Sequence, residues 1–401
     1  PPCINKFYIL DLQLENSFVR HAVEAGFTVF IVSWRNPDAS LSKLGWDDYI
    51  GEGPLAAIDV VRKISGQDQI NTLGFCVGGT ILSTALAVLA ARGDRAASSV
   101  TLLATLLDFS DAGEIGQGGI LSGRELATVF SALRDKDLIW SYVINNYLKG
   151  SRPGPFDILY WNADSTNLPG PMFCWYVRNL YLDNKLRERN ALTVCGNPID
   201  LRAIDVPAMI VATREDHIVP WRSAYASTQL LGKQPQFMLG ASGHIAGIVN
   251  PPAKQKRSFW TIPGASTSLP ADPNQWLAAA VEEKGSWWPT WLSWLSGHAG
   301  KCRQTQKPGR MHSRQSNRRP AGMSENESRG SGTHARCAGY WWNGWDWHGH
   351  MQAVRRCGND RHCELPAGLS AQECLACQDG GRRIPNRSRS GIRCDRPRRM
   401  H

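Results

Sequence analysis

A thiol, a carboxylate and an imidazole are the groups that an activated-nucleophile site needs, and the chain offers them in that order at Cys76, Asp216 and His244. Cysteine attacks as its thiolate, so an imidazole must take the thiol proton. A carboxylate must then hold that imidazole in one tautomer and stabilise its charged form. Cys76 sits in Leu73-Gly74-Phe75-Cys76-Val77-Gly78-Gly79-Thr80, a G-x-C-x-G pattern. A residue at the tip of a tight strand-to-helix turn adopts a strained backbone, and small neighbours such as Gly74 and Gly78 relieve the crowding around it. The backbone N–H of Val77, at the start of the following helix, is the natural oxyanion donor, and a second is expected from the loop around Cys3 and Ile4. Each group also has a plainer use. A glycine-rich turn can hold a buried structural cysteine, Asp216 can cap a turn, and a histidine after a strand is commonly structural. His217 competes for the base role, but it shares a strand end with Asp216, whereas His244 lies in the glycine-flanked turn Ser242-Gly243-His244.

The elements around these residues give them a common position. Asn16 is a good cap for a helix over 17–25 that Gly26 closes. Residues 27–34, apolar on both faces, read as a buried parallel strand. A second helix starts at Asp47 or Asp48 and runs to 64, with Gly66 ending it. Residues 70–75 form the short strand that feeds the turn at Cys76, 80–92 the helix that leaves it, and 100–107 the next strand. The strand rhythm resumes at 206–213, directly before Asp216, and at 236–239, just before His244. In open α/β sheets functional groups collect where strands end. The order nucleophile, acid, histidine is the order of the α/β-hydrolase fold, so the fold class expected is α/β, an α/β-hydrolase fold with a mostly parallel sheet and an inserted cap subdomain. Residues 1–107 form the first part of that core, the aromatic-rich 108–195 the cap, 196–296 the second part of the core, and 297–401 a tail.

The formal charge of +10 belongs to the tail. Residues 1–300 carry 25 Lys and Arg against 27 Asp and Glu, whereas 301–401 carry 20 against 8. A basic tract with Trp341, Trp342, Trp345 and Trp347 suits a nucleic-acid binder, but a tail rich in Arg, Gly, Cys, Trp and Pro is also what GC-rich DNA yields out of frame. It is expected to be disordered, with no nucleic-acid partner. Cys374-x-x-Cys377 has an upstream pair, Cys357 and Cys363, at the wrong spacing for a zinc ribbon, so no metal is expected. Cys3, Cys76, Cys174 and Cys195 have no paired spacing and suit a reducing compartment. No 18-residue apolar run and no signal-like start are present, which points to a cytoplasmic protein that does not span the membrane. The chain starts at Pro1 without Met and reads as a fragment.

Several motifs extend beyond the three residues: Pro1-Pro2-Cys3-Ile4-Asn5-Lys6, Ser33-Trp34-Arg35-Asn36-Pro37-Asp38, Gly74-Phe75-Cys76-Val77-Gly78-Gly79, Asn145-Asn146-Tyr147-Leu148, Arg214-Glu215-Asp216-His217, Ser242-Gly243-His244-Ile245-Ala246-Gly247 and Gly285-Ser286-Trp287-Trp288-Pro289. With them, residues 1 to about 296 resemble the catalytic domain of a class I polyhydroxyalkanoate synthase. The resemblance implies polymerisation of (R)-3-hydroxyacyl-CoA, most often 3-hydroxybutyryl-CoA, with release of CoA and growth of a polyester on a cytoplasmic granule. It implies that Cys76 carries the acyl or growing chain, that His244 activates it, and that Asp216 either orients His244 or helps deprotonate the incoming 3-hydroxyl. Arg134, Asn184 and His217 match positions that the family associates with the CoA path, although ordinary surface polar residues would look the same. A homodimer, and no metal or organic cofactor, are implied as well. The resemblance also sets a further sheet strand before Pro1, so an unpaired sheet edge is expected. A thiol hydrolase or thioesterase of the same fold, and an inactive remnant, are the competing readings.

Overall fold

The structure is a computed structural model that describes residues 4–112, 161, 164–233, 235–262 and 269–300, and the backbone of Tyr340–Trp345 and Met351–Arg355. A six-stranded sheet organises it. In chain order the first six strands are β1 (Ile4–Asn5), β2 (Ile70–Phe75), β3 (Ala97–Leu103), β4 (Ser165–Thr166), β5 (Thr193–Val194) and β6 (Asn197–Pro198), of which β2 and β3 belong to that sheet. They are followed by β7 (Ala208–Thr213), β8 (Gln236–Gly240), β9 (Ser258–Thr261) and β10 (Val281–Lys284). The sheet order is β10-β9-β8-β7-β3-β2. Strands β2, β3, β7 and β8 are mutually parallel, and β9 and β10 add an antiparallel flank. Such a parallel centre needs cover on both faces. One face packs under the helices Trp46–Ile50, Ala56–Ser65 and Val77–Ala91, the other under Phe18–Glu24 and Trp288–Ser296, each with its own buried apolar cluster.

The two sheet edges differ. Strand β10, Val281-Glu282-Glu283-Lys284, is exposed along its whole length and carries charges that discourage pairing with another chain. Strand β2 is the opposite edge, uncharged and half-buried. Residues 27–34, expected as a strand, join no ladder. A strand exists only through a partner's backbone groups, and among the described residues none pairs with this run. Its side chains are used instead for packing: Phe27 and Val29 with the cluster that contains Leu73, and Trp34 stacked on Tyr49 with ring centroids 5.2 Å apart. Trp34 also fills the space beside Gly53, where a Cβ would collide with the indole.

Local signals set the helix ends. Ser17, not Asn16, caps Phe18–Glu24 by accepting from the Arg20 N–H at 2.8 Å, and Gly26 follows at φ +93°. Asp48 reaches back to the Gly45 N–H at 2.7 Å to start Trp46–Ile50, and a π-helical turn at Gly51–Leu55 joins it to Ala56–Ser65. Of the expected cap over 108–195, residues 113–160, 162 and 163 lie outside the described residues. The described flank includes Gly170–Tyr176, whose Trp175 and Tyr176 stack on Trp46. In the tail, Tyr340–Trp345 and Met351–Arg355 pair antiparallel. Everything else after residue 300 is outside the described residues.

Candidate active site

The site is built where β2, β7 and β8 end. Cys76 follows β2 directly and has φ +55° and ψ −130°, in a region that non-glycine residues rarely occupy. Such a backbone costs about 1–3 kcal/mol unless the surroundings over-determine it. Here they do. The Cys76 N–H donates to the Leu103 carbonyl at 2.8 Å, which docks the turn on β3, and the Cys76 carbonyl accepts from the Gly79 N–H at 2.9 Å and the Thr105 hydroxyl at 3.2 Å. Two glycines are obligatory. A Cβ on Gly74 would meet the backbone of Gly79, and a Cβ on Gly79 would meet the Thr105 side chain. The helix Val77–Ala91 starts at the next residue, so Val77 is in its first turn, where N–H groups have no intrahelical partner.

His244 opens the short helix His244–Ile248 after β8 and is 7% exposed. Its Nδ1 meets Asp216 Oδ2 at 2.6 Å, and its imidazole is stacked on the Phe75 ring at 5.3 Å. Cys76 is the other polar group near enough to act on the ring. Burial opposes charge on the ring, but the Asp216 carboxylate and Cys76 outweigh it, so the pKa of His244 is raised from the ordinary 6.5. Asp216 is equally well fixed. Oδ1 accepts from the Ile218 and Val219 N–H groups, both at 2.9 Å, and Oδ2 also accepts from the Thr213 hydroxyl at 3.2 Å. The acid and histidine turns are laced together by Glu215 N–H to the Ser242 carbonyl at 3.1 Å and Arg214 N–H to the Gly240 carbonyl at 2.8 Å. Thus the structure brings together Cys76, Asp216 and His244 in the arrangement of a nucleophile, its base and the base's anchor.

The remaining expected residues are placed differently. Ile4, the expected second oxyanion donor, lies in β1, whose backbone pairs with Ser165–Thr166. The adjoining loop is tied down by Lys6 to Asp164 at 2.6 Å and by the Trp161 indole to the Lys6 carbonyl at 2.7 Å. Asn184 is not joined to the three residues by a hydrogen bond. Its side-chain carbonyl accepts the Phe109 N–H at 2.9 Å and its amide donates to Asp108 at 2.8 Å and Ser110 at 3.0 Å. Burial would push the Asp108 pKa up, but the donors Ser110 and Asn184 and the charge of Arg187 bring it below the ordinary value. His217 neighbours Asp216, and its Nε2 is buried with no hydrogen-bond partner among the described residues. Arg134 and Cys3 lie outside the described residues. Among the described residues no group of three His, Cys, Asp or Glu side chains could hold a metal, and no helix is long and apolar enough to cross a membrane. Sequence reasoning missed Thr105, whose hydroxyl supports the turn, and gave Trp287 and Trp288 only as part of a motif, without their contacts to the His244 helix.

Comparison with known proteins bears on the fold. The alpha/beta hydrolase fold family model matches residues 7–117 and 109–251. A poly(3-hydroxyalkanoate) polymerase subunit PhaC of Cupriavidus necator is 60% identical over 324 residues, which are 76% of this chain and 54% of that protein. The protein of the same name from Rhizobium meliloti is 42% identical over 311 residues, 74% of this chain and 50% of its own length. Poly(3-hydroxyalkanoate) polymerase 2 of Ectopseudomonas oleovorans is 41% identical over 317 residues, 75% and 56% respectively. The chain therefore spans about half the length of the curated relatives it matches. With the parallel sheet, the strained turn at Cys76 and the family match across both parts of the core, the chain belongs to the alpha/beta hydrolase fold family.

Proposed function

We propose that this chain is the catalytic part of an acyltransferase that polymerises (R)-3-hydroxyacyl-CoA, most simply 3-hydroxybutyryl-CoA, into polyhydroxyalkanoate. The observation that carries the reading is a cysteine, with a buried His–Asp pair behind it, at the strained turn of a chain 60% identical to a poly(3-hydroxyalkanoate) polymerase subunit over 324 residues. A cysteine suits transfer better than hydrolysis. Moving an acyl group from one thiol to another is nearly isoenergetic, so the group stays activated for a second transfer.

In the first step the Cys76 thiol gives its proton to His244, and the thiolate attacks the thioester carbonyl carbon. A new C–S bond to Cys76 forms as the C–S bond to CoA breaks, and the imidazolium returns the proton to the CoA sulfur. In the second step the 3-hydroxyl of an acyl unit gives its proton to His244 while its oxygen attacks the Cys76 thioester. The ester C–O bond forms, and the Cys76 sulfur leaves and regains a proton. Val77 N–H, at the helix start, stabilises the oxyanion, and Ile4 is the proposed second donor. The full occupancy of both Asp216 oxygens and the burial of its side chain favour an orienting role for Asp216 over direct deprotonation of the 3-hydroxyl. The network around Asn184 favours a role in holding the start of the cap over a direct CoA contact. His217 and Arg134 remain the proposed CoA-path residues. The reaction as written calls for no metal or organic cofactor. Action as a homodimer on a cytoplasmic polyester granule belongs to the same proposal.

Incubation with 3-hydroxybutyryl-CoA tests it. Polymer should accumulate in step with free CoA, and Cys76→Ala should stop both. CoA release with only free 3-hydroxybutyrate would make the chain a thioesterase, and no release would make it an inactive remnant.

A further inference from the structure

The helix that His244 opens is five residues long, too short to hold its own position. Its terminal carbonyls are among those that no intrahelical N–H can reach. They are held by residues beyond the helix, and the Ile248 carbonyl also accepts from the Asn250 N–H at 3.0 Å. The Trp287 indole N–H donates to the Gly247 carbonyl at 3.0 Å, and the Trp288 indole N–H donates to the Ile248 carbonyl at 2.9 Å. Both indoles are buried, at 0% and 1% exposure. The clamp has further ties. Asn250 donates to the Gly285 carbonyl at 3.2 Å, and the Gly285 N–H donates to the Arg257 carbonyl at 2.9 Å. On the opposite side Gly247 lies so close to Thr213 that a Cβ would collide with that side chain. The helix is thus wedged between the end of β7 and a tryptophan pair. That pair is itself seated on Phe18, whose ring lies 5.7 Å from Trp287 and 5.1 Å from Trp288.

We propose that Trp287 and Trp288 are positioning residues for His244, fixing the depth and rotation of its helix so that the imidazole meets Cys76. The inference rests on the Cys76–His244 proton transfer of the proposed mechanism. It goes beyond it by assigning the geometry of that transfer to two side chains that touch neither substrate nor the reacting atoms. Trp291 supplies an internal contrast. It lies on the same helix and is as buried, but its indole N–H donates to the Thr101 hydroxyl at 3.1 Å and not to the His244 helix.

The test reads the cysteine directly and needs no acyl-CoA. The rate of Cys76 alkylation by iodoacetamide, followed by mass spectrometry of its peptide, is measured against pH for the full chain, together with the melting temperature. His244→Ala is the reference for an uncoupled thiol. Trp287→Phe and Trp288→Phe keep a ring but remove the N–H. They should slow alkylation at neutral pH by about tenfold, since small misplacements of a base have large kinetic effects, and should move the profile toward that of His244→Ala. Trp291→Phe should lower the melting temperature and leave the profile in place. Because the phenylalanine variants could be unstable, Trp287 is also replaced by its benzothiophene analogue, which exchanges N–H for sulfur at nearly constant volume. An unchanged profile in the folded analogue, or an equal shift in Trp291→Phe, overturns the proposal. If His244→Ala itself leaves the profile unchanged, the Cys76–His244 mechanism fails first and takes this inference with it.

Discussion

Cys76 and His244 face each other across the site but are held by different means. Cys76 is fixed by its own neighbourhood: Gly74, Gly79, the Leu103 carbonyl and Thr105 all lie within thirty residues of it. His244 is fixed by side chains from other elements, by Asp216 on the preceding strand turn, 28 residues earlier, and by Trp287 and Trp288, 40 residues beyond the carbonyls they hold. A nucleophile needs a rigid, strained backbone, and local glycines can supply that. A base needs a rotational setting for its ring, which only side chains arriving from other elements can supply.

Substitutions can break either half of this comparison, and their expected effects fall in a definite order. Cys76→Ala removes the proposed nucleophile, so CoA release from 3-hydroxybutyryl-CoA should fall by about 10³-fold or more, with the melting temperature nearly unchanged. Asp216→Asn keeps the shape but removes the charge that holds His244. The same assay should show about a 10²–10³-fold loss, and alkylation of Cys76 at neutral pH should slow in parallel. Gly79→Ala drives a methyl into Thr105, and denaturant unfolding should show about 1–3 kcal/mol of lost stability. Thr105→Val removes the hydroxyl that supports the Cys76 carbonyl and should cost about 1 kcal/mol by the same measurement.

The His244–Asp216 pair adds a pH dependence with a defined sign. Because the folded state raises the His244 pKa, the stability that this residue contributes is fully present below the ordinary value of 6.5 and is lost as pH rises toward about 10. Unfolding curves of the parent chain and His244→Gln should therefore converge as pH rises through that window. Divergence toward alkaline pH would contradict the assignment.

The contrast between the two residues also explains what the sequence made legible. Strand Ile70–Phe75 and the turn at Cys76 follow from an apolar run met by glycines, and the strand-end placement of Asp216 and His244 from two further runs of the same kind. These are local patterns. The run at 27–34 has the composition of a strand, but ladder formation depends on a partner that composition does not reveal. Strand β10 failed to register for the opposite reason. Its residues, Val281-Glu282-Glu283-Lys284, are all exposed and show no apolar alternation, and its pairing with β9 alone makes it a strand. Asn184 was legible as a polar residue of interest, but its partners Asp108, Ser110 and Phe109 lie some 75 residues earlier. The tryptophan pair is similar: a buried aromatic run reads as core, and nothing in the run tells which carbonyls its indoles will meet.

The central claim is that Cys76 carries the acyl group, and brief exposure of the full chain to 3-hydroxybutyryl-CoA followed by acid quenching and peptide mass spectrometry tests it most directly. The account predicts a 3-hydroxybutyryl or oligomeric adduct on the peptide containing Cys76, absent in Cys76→Ala and trapped poorly in His244→Ala. Steady CoA release with an unmodified Cys76 at every time point, or with the adduct on another residue, would contradict it.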